Sequence, residues 1–255
     1  MFCDLLGEER VFTDEPMKQH TTFRIGGPAD YFLVPGTGEE VGRIIRICKD
    51  TGTPYFILGN GSNLLVGDGG YRGAVIQVYR NMSAVTVEGN VITAQAGALL
   101  SAVAAAAKNA SLTGFEFAGG IPGTAGGAVV MNAGEMKDVL TEVTVMDTEG
   151  NIFTIPAEKL ELGYRTSIIK KAGYIVLEAK IRLAEGDPDA IRERMKELTI
   201  QRTTKQPLEY PSAGSTFKRP EGYFAGKLVM DSGLRGYRVG GAQVSEKHCG
   251  FVINA

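Results

Sequence analysis

The spacing of apolar residues predicts an alternation of strands and helices. Residues 21–34 read as a glycine-broken strand pair, with Tyr31-Phe32-Leu33-Val34 the stronger strand. From Glu39 to Asp50 the apolar positions Val41, Ile44, Ile45 and Ile47 take helical spacing, and Gly52 with Pro54 ends the helix. Tyr55–Leu58 and Ala74–Val78 are short apolar strands, so this stretch is a β-α-β-loop-β unit. Ala84–Glu88 and Val91–Ala96 alternate in polarity about Gly89-Asn90, a hairpin signal. Leu99–Asn109 has strong helix propensity. Strands Glu142–Asp147 and Ile152–Ile155 flank a turn at residues 148–151, and Tyr174–Leu183 is a long alternating strand. A charged helix is expected over Asp187–Thr199, with Asp187 as N-cap and Pro188 at the first position. The chain closes on the apolar strand 250–254, which is expected to be followed by a covering segment.

Two glycine-rich stretches interrupt this pattern. The first is Gly59-Asn60-Gly61-Ser62-Asn63-Leu64, directly after an expected strand. The second runs from Gly119 to Ala128, where eight of ten residues are glycine, alanine or threonine around Ile121-Pro122. Such loops admit close approach of backbone to a ligand, and successive N–H groups can face phosphate oxygens. The Gly-x-Gly-x-x-Gly dinucleotide pattern fails because Leu64 stands at its third glycine, and no Gly-x-x-x-x-Gly-Lys-Ser/Thr sequence occurs. Gly-x-Ser-x-Gly is also missing, since Gly61-Ser62-Asn63 and Gly214-Ser215-Thr216 lack the second glycine. The pair of loops therefore points to a large dinucleotide held by backbone.

Composition narrows the partners. With 255 residues, 44% hydrophobic and 22% charged, the chain has the make-up of a globular protein large enough for more than one domain. A net charge of −2 argues against a nucleic-acid or anionic-membrane binder. No span of membrane length and no signal pattern is seen, so a cytoplasmic protein is expected. Cys3, Cys48 and Cys249 do not suggest a disulfide framework, and with only His20 and His248 no metal site is expected.

Further along, Tyr164-Arg165 and the cations Arg202, Lys205, Lys218 and Arg219 are candidates for holding an anionic substrate. Ser215 lies between the latter pairs. With no histidine near it in sequence, proton donation to a developing carbanion suits it better than nucleophilic attack.

Taken in order, these segments resemble the UDP-N-acetylenolpyruvoylglucosamine reductase (MurB) family. The resemblance is carried by Thr21-Thr22-Phe23-Arg24-Ile25-Gly26-Gly27, by Leu58–Asn63 and by Ala118–Ala128. It continues through Met131–Gly134, Tyr164-Arg165, Ser212–Lys218 and Gly240–Ser245, covering nearly the whole chain. The closeness of Tyr174 to Arg165 is similar to the shorter, type II branch. The resemblance implies an α+β fold: a two-lobed p-cresol methylhydroxylase/vanillyl-alcohol oxidase (PCMH/VAO) type FAD-binding domain, lobes 1–76 and 77–185, and an α+β substrate-binding domain over 186–255, apparently truncated at its C-terminus. It implies noncovalent FAD, with Gly59, Asn60, Gly61, Ser62, Asn63, Leu64, Gly119, Gly120, Ile121, Pro122, Gly123, Thr124, Ala125 and Gly127 as its contacts.

NADPH is implied as co-substrate, and the enolpyruvyl ether of a UDP-sugar as substrate of a monomeric enzyme of peptidoglycan synthesis. Flavin N5 would deliver hydride to the vinyl C3, and Ser215 a proton to C2, with Arg165 stabilising the charge between the two events. Tyr164, Arg202, Lys205, Lys218, Arg219 and Gln243 are implied as substrate contacts. The family's third catalytic residue is a glutamate in a C-terminal Leu-Glu-Pro-Glu-Val-type motif, for which this sequence has no counterpart. Another PCMH/VAO-type oxidoreductase, or an FAD-binding module without turnover, is the alternative.

Overall fold

The computed structural model describes residues 1–134 and 136–255. The chain divides into two compact units. One comprises Met1–Glu15, Ala29–Asn60 and Tyr71–Leu198; the other comprises Pro16–Pro28, Gly61–Gly70 and Thr199–Ala255.

The first unit begins with α1 (Phe2–Leu6), β1 (Val11–Pro16), β2 (Pro28–Leu33), α2 (Gly38–Asp50), β3 (Tyr55–Leu58) and β4 (Tyr71–Gln77). Its four-stranded sheet has the order β1-β2-β4-β3, with β4 parallel to both β2 and β3. Residues 21–27, expected to contribute a strand, instead form a turn and irregular backbone, and the strand beside β2 on the side away from β4 is β1. The polar run of β1, Val-Phe-Thr-Asp-Glu-Pro, hides it from a reading by periodicity. Thr37 caps α2, its Oγ1 accepting the Glu40 N–H at 3.1 Å. The Glu40 carboxylate in turn accepts the Gly36 N–H at 2.6 Å and an Arg10 guanidinium N–H at 2.8 Å.

The unit continues with β5 (Val85–Glu88), β6 (Val91–Gln95), α3 (Leu100–Asn109) and the two-residue β7 (Leu112–Thr113). There follow α4 (Ala125–Met131), α5 (Met136–Val139), β8 (Leu140–Met146), β9 (Ile152–Pro156), α6 (Ile168–Ala172), β10 (Ile175–Arg182) and β11 (Ala184–Glu185). A five-stranded antiparallel sheet has the order β5-β6-β10-β8-β9, and β7 pairs with β11. Ile76 of β4, Ile92 of β6, Val143 of β8 and Ile181 of β10 belong to one hydrophobic cluster, so the two sheets share a core. Cys48 lies in that core, and burial pushes its thiol up to about 11.

α7 (Pro188–Lys205) starts as expected, with Asp187 Oδ1 accepting the N–H groups of Asp189 and Ala190. It runs six residues past Thr199 and carries Arg202 and Lys205 on its last turns. The second unit adds β12 (Ser212–Ser215), α8 (Ala225–Asp231), β13 (Arg238–Val239), β14 (Ala242–Val244) and β15 (Phe251–Asn254). Its sheet has the order β12-β15-β14-β13. Residues from early in the chain brace it. Thr22 Oγ1 donates to the Ser212 carbonyl at 2.7 Å, and Asn254 Nδ2 donates to the Phe23 carbonyl at 3.2 Å.

Candidate functional site

In the first unit the start of the first glycine-rich stretch, Gly59 and Asn60, meets the second stretch. Gly59 follows the C-terminal end of the parallel strand β3, the end at which open α/β sheets receive ligands. A Cβ on Gly59 would stand 2.5 Å from Thr124 Oγ1, so only glycine fits there. Asn60 Nδ2 donates to the Pro122 carbonyl at 3.0 Å, joining the first stretch to the second.

The second stretch is more regular than its composition suggests. Gly119 and Gly120 close a 3-10 turn over Glu116–Gly120, and Ala125 opens α4, which was not foreseen. The N–H groups of Ala125 and Gly126 go to the Ala98 and Ala96 carbonyls at 2.8 and 2.9 Å. Thr124 Oγ1 accepts the Gly127 N–H at 3.4 Å. Their N–H groups are thus taken up within the fold; Thr124, Ala125 and Gly126 are buried, and of these residues Gly127 alone is exposed to a ligand. Ile121 is bound to the 3-10 turn, its N–H donating to the Ala118 carbonyl, and Gly123 to the start of α3, its carbonyl accepting the Leu100 N–H.

Gly61, Ser62, Asn63 and Leu64 fall in the second unit. Gly61 has φ +63°, and a Cβ there would run into the His20 carbonyl. The Gly61 carbonyl accepts the Thr22 N–H at 3.2 Å.

Two buried polar groups near these stretches escaped the sequence reading. Gln77, at the end of β4 opposite Leu58, is buried and its Oε1 has no partner. A glutamine inside the apolar run Ala74–Val78 was the available signal. Asn132 ends α4 in the left-handed conformation; its Nδ2 donates to the Gly163 carbonyl at 3.1 Å while its buried Oδ1 has no partner. Buried acceptors of this kind are costly unless a ligand or water meets them. Together with the glycine cradle, they fit a bound dinucleotide.

Arg165 sits on a tight turn. Gly163 and Thr166 exchange backbone hydrogen bonds at 3.1 and 3.3 Å, and Arg165 between them has φ +58°. A left-handed arginine is strained, by about 1–2 kcal/mol, and such strain collects at functional positions. Both sides of the turn are fixed to the C-terminal part of α4, by Asn132 at Gly163 and by Ser167, whose Oγ donates to the Val130 carbonyl at 2.8 Å. The guanidinium lies 5.8 Å from the centre of the exposed Tyr164 ring.

In the second unit Ser215 ends β12, exposed, in register with Phe251 of β15. Gln243 of β14 is in register with Ile253 on the other side of β15, and its Nε2 donates to the Gly236 carbonyl at 3.4 Å. The sheet thus brings Ser215 and Gln243 to flank one strand. Arg202 is half-buried, burial pushes its pKa down, and its Nε has no partner. Lys205 and Lys218 are exposed, and the Arg219 guanidinium lies 4.4 Å from the centre of the Phe224 ring.

Comparison with known proteins matches an FAD-binding domain family over residues 29–156 and the UDP-N-acetylenolpyruvoylglucosamine reductase C-terminal domain over 206–255. UDP-N-acetylenolpyruvoylglucosamine reductase of Alkaliphilus metalliredigens is 54% identical over 99% of this chain and 84% of its own length. That of Clostridioides difficile is 53% identical over 98% of this chain and 84% of its own. The crystal structure of the Thermus caldophilus reductase superposes with a TM-score of 0.82 at 38% identity, covering 94% of this chain and 86% of that one. p-Cresol methylhydroxylase shares the fold alone, with a TM-score of 0.55 at 17% identity over 73% of this chain and 42% of its own. The chain belongs to the UDP-N-acetylenolpyruvoylglucosamine reductase family of FAD-dependent oxidoreductases.

Proposed function

We propose that this protein reduces the enolpyruvyl ether of UDP-N-acetylglucosamine to UDP-N-acetylmuramate for peptidoglycan synthesis, with NADPH as electron donor. It does so as a cytoplasmic monomer with no nucleic-acid partner. Residues 1–76 and 77–185 act as the lobes that hold FAD noncovalently, and 186–255 as the substrate domain. Bound FAD supplies hydride to the vinyl C3.

The strained, doubly tethered turn of Arg165 carries the reading. Hydride arrival at C3 places negative charge at C2 and on the adjoining carboxylate. A guanidinium fixed in advance meets that charge more strongly in the transition state than in the ground state. Ser215 holds a proton on Oγ for C2. Tyr164, Arg202, Lys205, Lys218, Arg219 and Gln243 bind the substrate's anionic and polar groups. The unpartnered Arg202 Nε supports such a contact, because a buried donor gains most from an incoming acceptor. Gly59, Asn60, Gly61, Ser62, Asn63, Leu64, Gly119, Gly120, Ile121, Pro122, Gly123, Thr124, Ala125 and Gly127 contact the cofactor.

The test is anaerobic. The purified yellow holoenzyme should bleach with NADPH and recover colour on adding the enolpyruvyl UDP-sugar. A protein that binds no FAD, or a reduced flavin that only a different acceptor reoxidises, overturns the proposal.

A further inference from the structure

His248 is distant from Ser215 in sequence, but the fold places both against one glycine. A Cβ built on Gly250 would stand 2.9 Å from His248 Cε1, 3.1 Å from His248 Nδ1 and 3.4 Å from Ser215 Oγ. Ring and hydroxyl thus lie within two van der Waals contacts of each other, across space that only glycine leaves open. That span suits one bridging water.

The ring is held on several sides. Nδ1 accepts the Gly250 N–H at 3.1 Å, so a neutral ring carries its proton on Nε2. Phe251 meets the ring edge-on, with centroids 5.0 Å apart. Gly226 of α8 leaves room on another side: a Cβ there would be 3.2 Å from Cε1. Buried Ser245 fixes the backbone, its Oγ accepting the N–H groups of Lys247 and His248 at 3.2 Å each.

We propose that His248 is a positioning residue for Ser215: through one water its imidazole orients the Ser215 hydroxyl and the solvent proton that restores it. This rests on Ser215 being the proton donor. In each turnover the Ser215 O–H bond breaks and its proton forms the new C–H bond at C2. The alkoxide left behind takes a proton from the bridging water, which solvent replenishes. The imidazole N–H hydrogen-bonds that water throughout and is unchanged at the end. A hydroxyl at the end of an edge strand has no other fixed orientation, and the ring supplies one.

The test compares four holoenzymes, Ser215→Ala, His248→Asn, His248→Gln and Ser215→Ala/His248→Asn, with the parent. Asn retains an acceptor for the Gly250 N–H but no donor in place of Nε2, whereas Gln restores an N–H near that position. Single-turnover reoxidation of reduced holoenzyme by the enolpyruvyl UDP-sugar is read beside substrate affinity, measured by flavin fluorescence, and thermal unfolding.

The expected result is that His248→Asn slows reoxidation at saturating substrate about tenfold or more while affinity stays within about threefold. Gln recovers part of the rate, and Asn has no further effect once Ser215 is Ala. Normal reoxidation by His248→Asn, or losses that multiply in the double variant, overturns the proposal while leaving Ser215 as donor. Normal reoxidation by Ser215→Ala removes the donor assignment and this proposal together. If His248→Asn unfolds, His248→Gln decides: it overturns the proposal if folded and slowed as much as Ser215→Ala, and supports it if faster.

Discussion

In the first compact unit Arg165 is held by side chains already fixed: Asn132 grips Gly163, Ser167 grips Val130, and both anchors lie on or beside a helix packed in the core. In the second unit Ser215 ends an edge strand, exposed, and Phe217, Tyr223, Phe224 and Tyr237 of the same unit are exposed as well. Few large side chains of residues 199–255 are buried; Phe251 and Ile253 are among them. One unit thus places its arginine by side-chain anchors, while the other places its serine by backbone pairing alone. The difference suits the roles proposed for them. A guanidinium gains most from rigid placement before charge develops, whereas a hydroxyl can reorient as its proton leaves.

The comparison breaks first at Arg165. Arg165→Gly relieves the left-handed strain while removing the guanidinium, so reoxidation by substrate should fall on the order of a hundred- to a thousandfold. Unfolding free energy should stay level or rise by about 1 kcal/mol; a clear fall in melting temperature would show that the turn is not strained. Gly59→Ala drives a methyl into Thr124 Oγ1, and chemical unfolding should reveal a loss of about 1–3 kcal/mol together with weaker flavin retention. Retention equal to the parent would remove this point from the cradle.

In the second unit, Arg202→Met should weaken substrate binding about tenfold, seen by calorimetry, with little change in unfolding free energy because Nε lacks a partner. A large loss of stability would place Arg202 among the packed residues instead. The smallest effect concerns Glu40. Burial alone would raise its pKa, but hydrogen bonds from Arg10 and the Gly36 N–H outweigh it and hold the carboxyl below its ordinary 4.5. Its contribution is therefore present above that value and fades as pH falls through the depressed one. Glu40→Gln should cost about 1 kcal/mol at neutral pH and nothing in strong acid, as followed by urea titrations across pH.

The elements most legible in sequence are those whose burial follows a period. Val41, Ile44 and Ile45 gave away α2, and Gly89-Asn90 gave away the β5–β6 hairpin with its left-handed Gly89. α4 was illegible because glycine and alanine read as loop. It is helical because small residues let its first turn press on β6 and its flank: a Cβ on Gly126 would lie 2.9 Å from Ala96 Cβ. The motif around Arg165 stood out in sequence, but its φ did not, since the anchors lie about thirty residues away, on or just beyond α4. The neighbourhood of His248 and Ser215 is likewise a product of the β12–β15 pairing, which no local pattern encodes.

The bonds from Thr22 to Ser212 and from Asn254 to Phe23 join residues 190 and 231 apart in the chain. On a ribosome, residues 16–28 and 61–70 leave the exit tunnel long before the segment that they brace exists. The hairpins of the first unit close over a few residues as they emerge. Loop closure over such distances is slow and entropically costly, which makes the second unit the late step of folding. Its early segments, with the glycine stretch from Gly61, wait for that partner, and the six glycines among their twenty-three residues favour an open chain until it arrives.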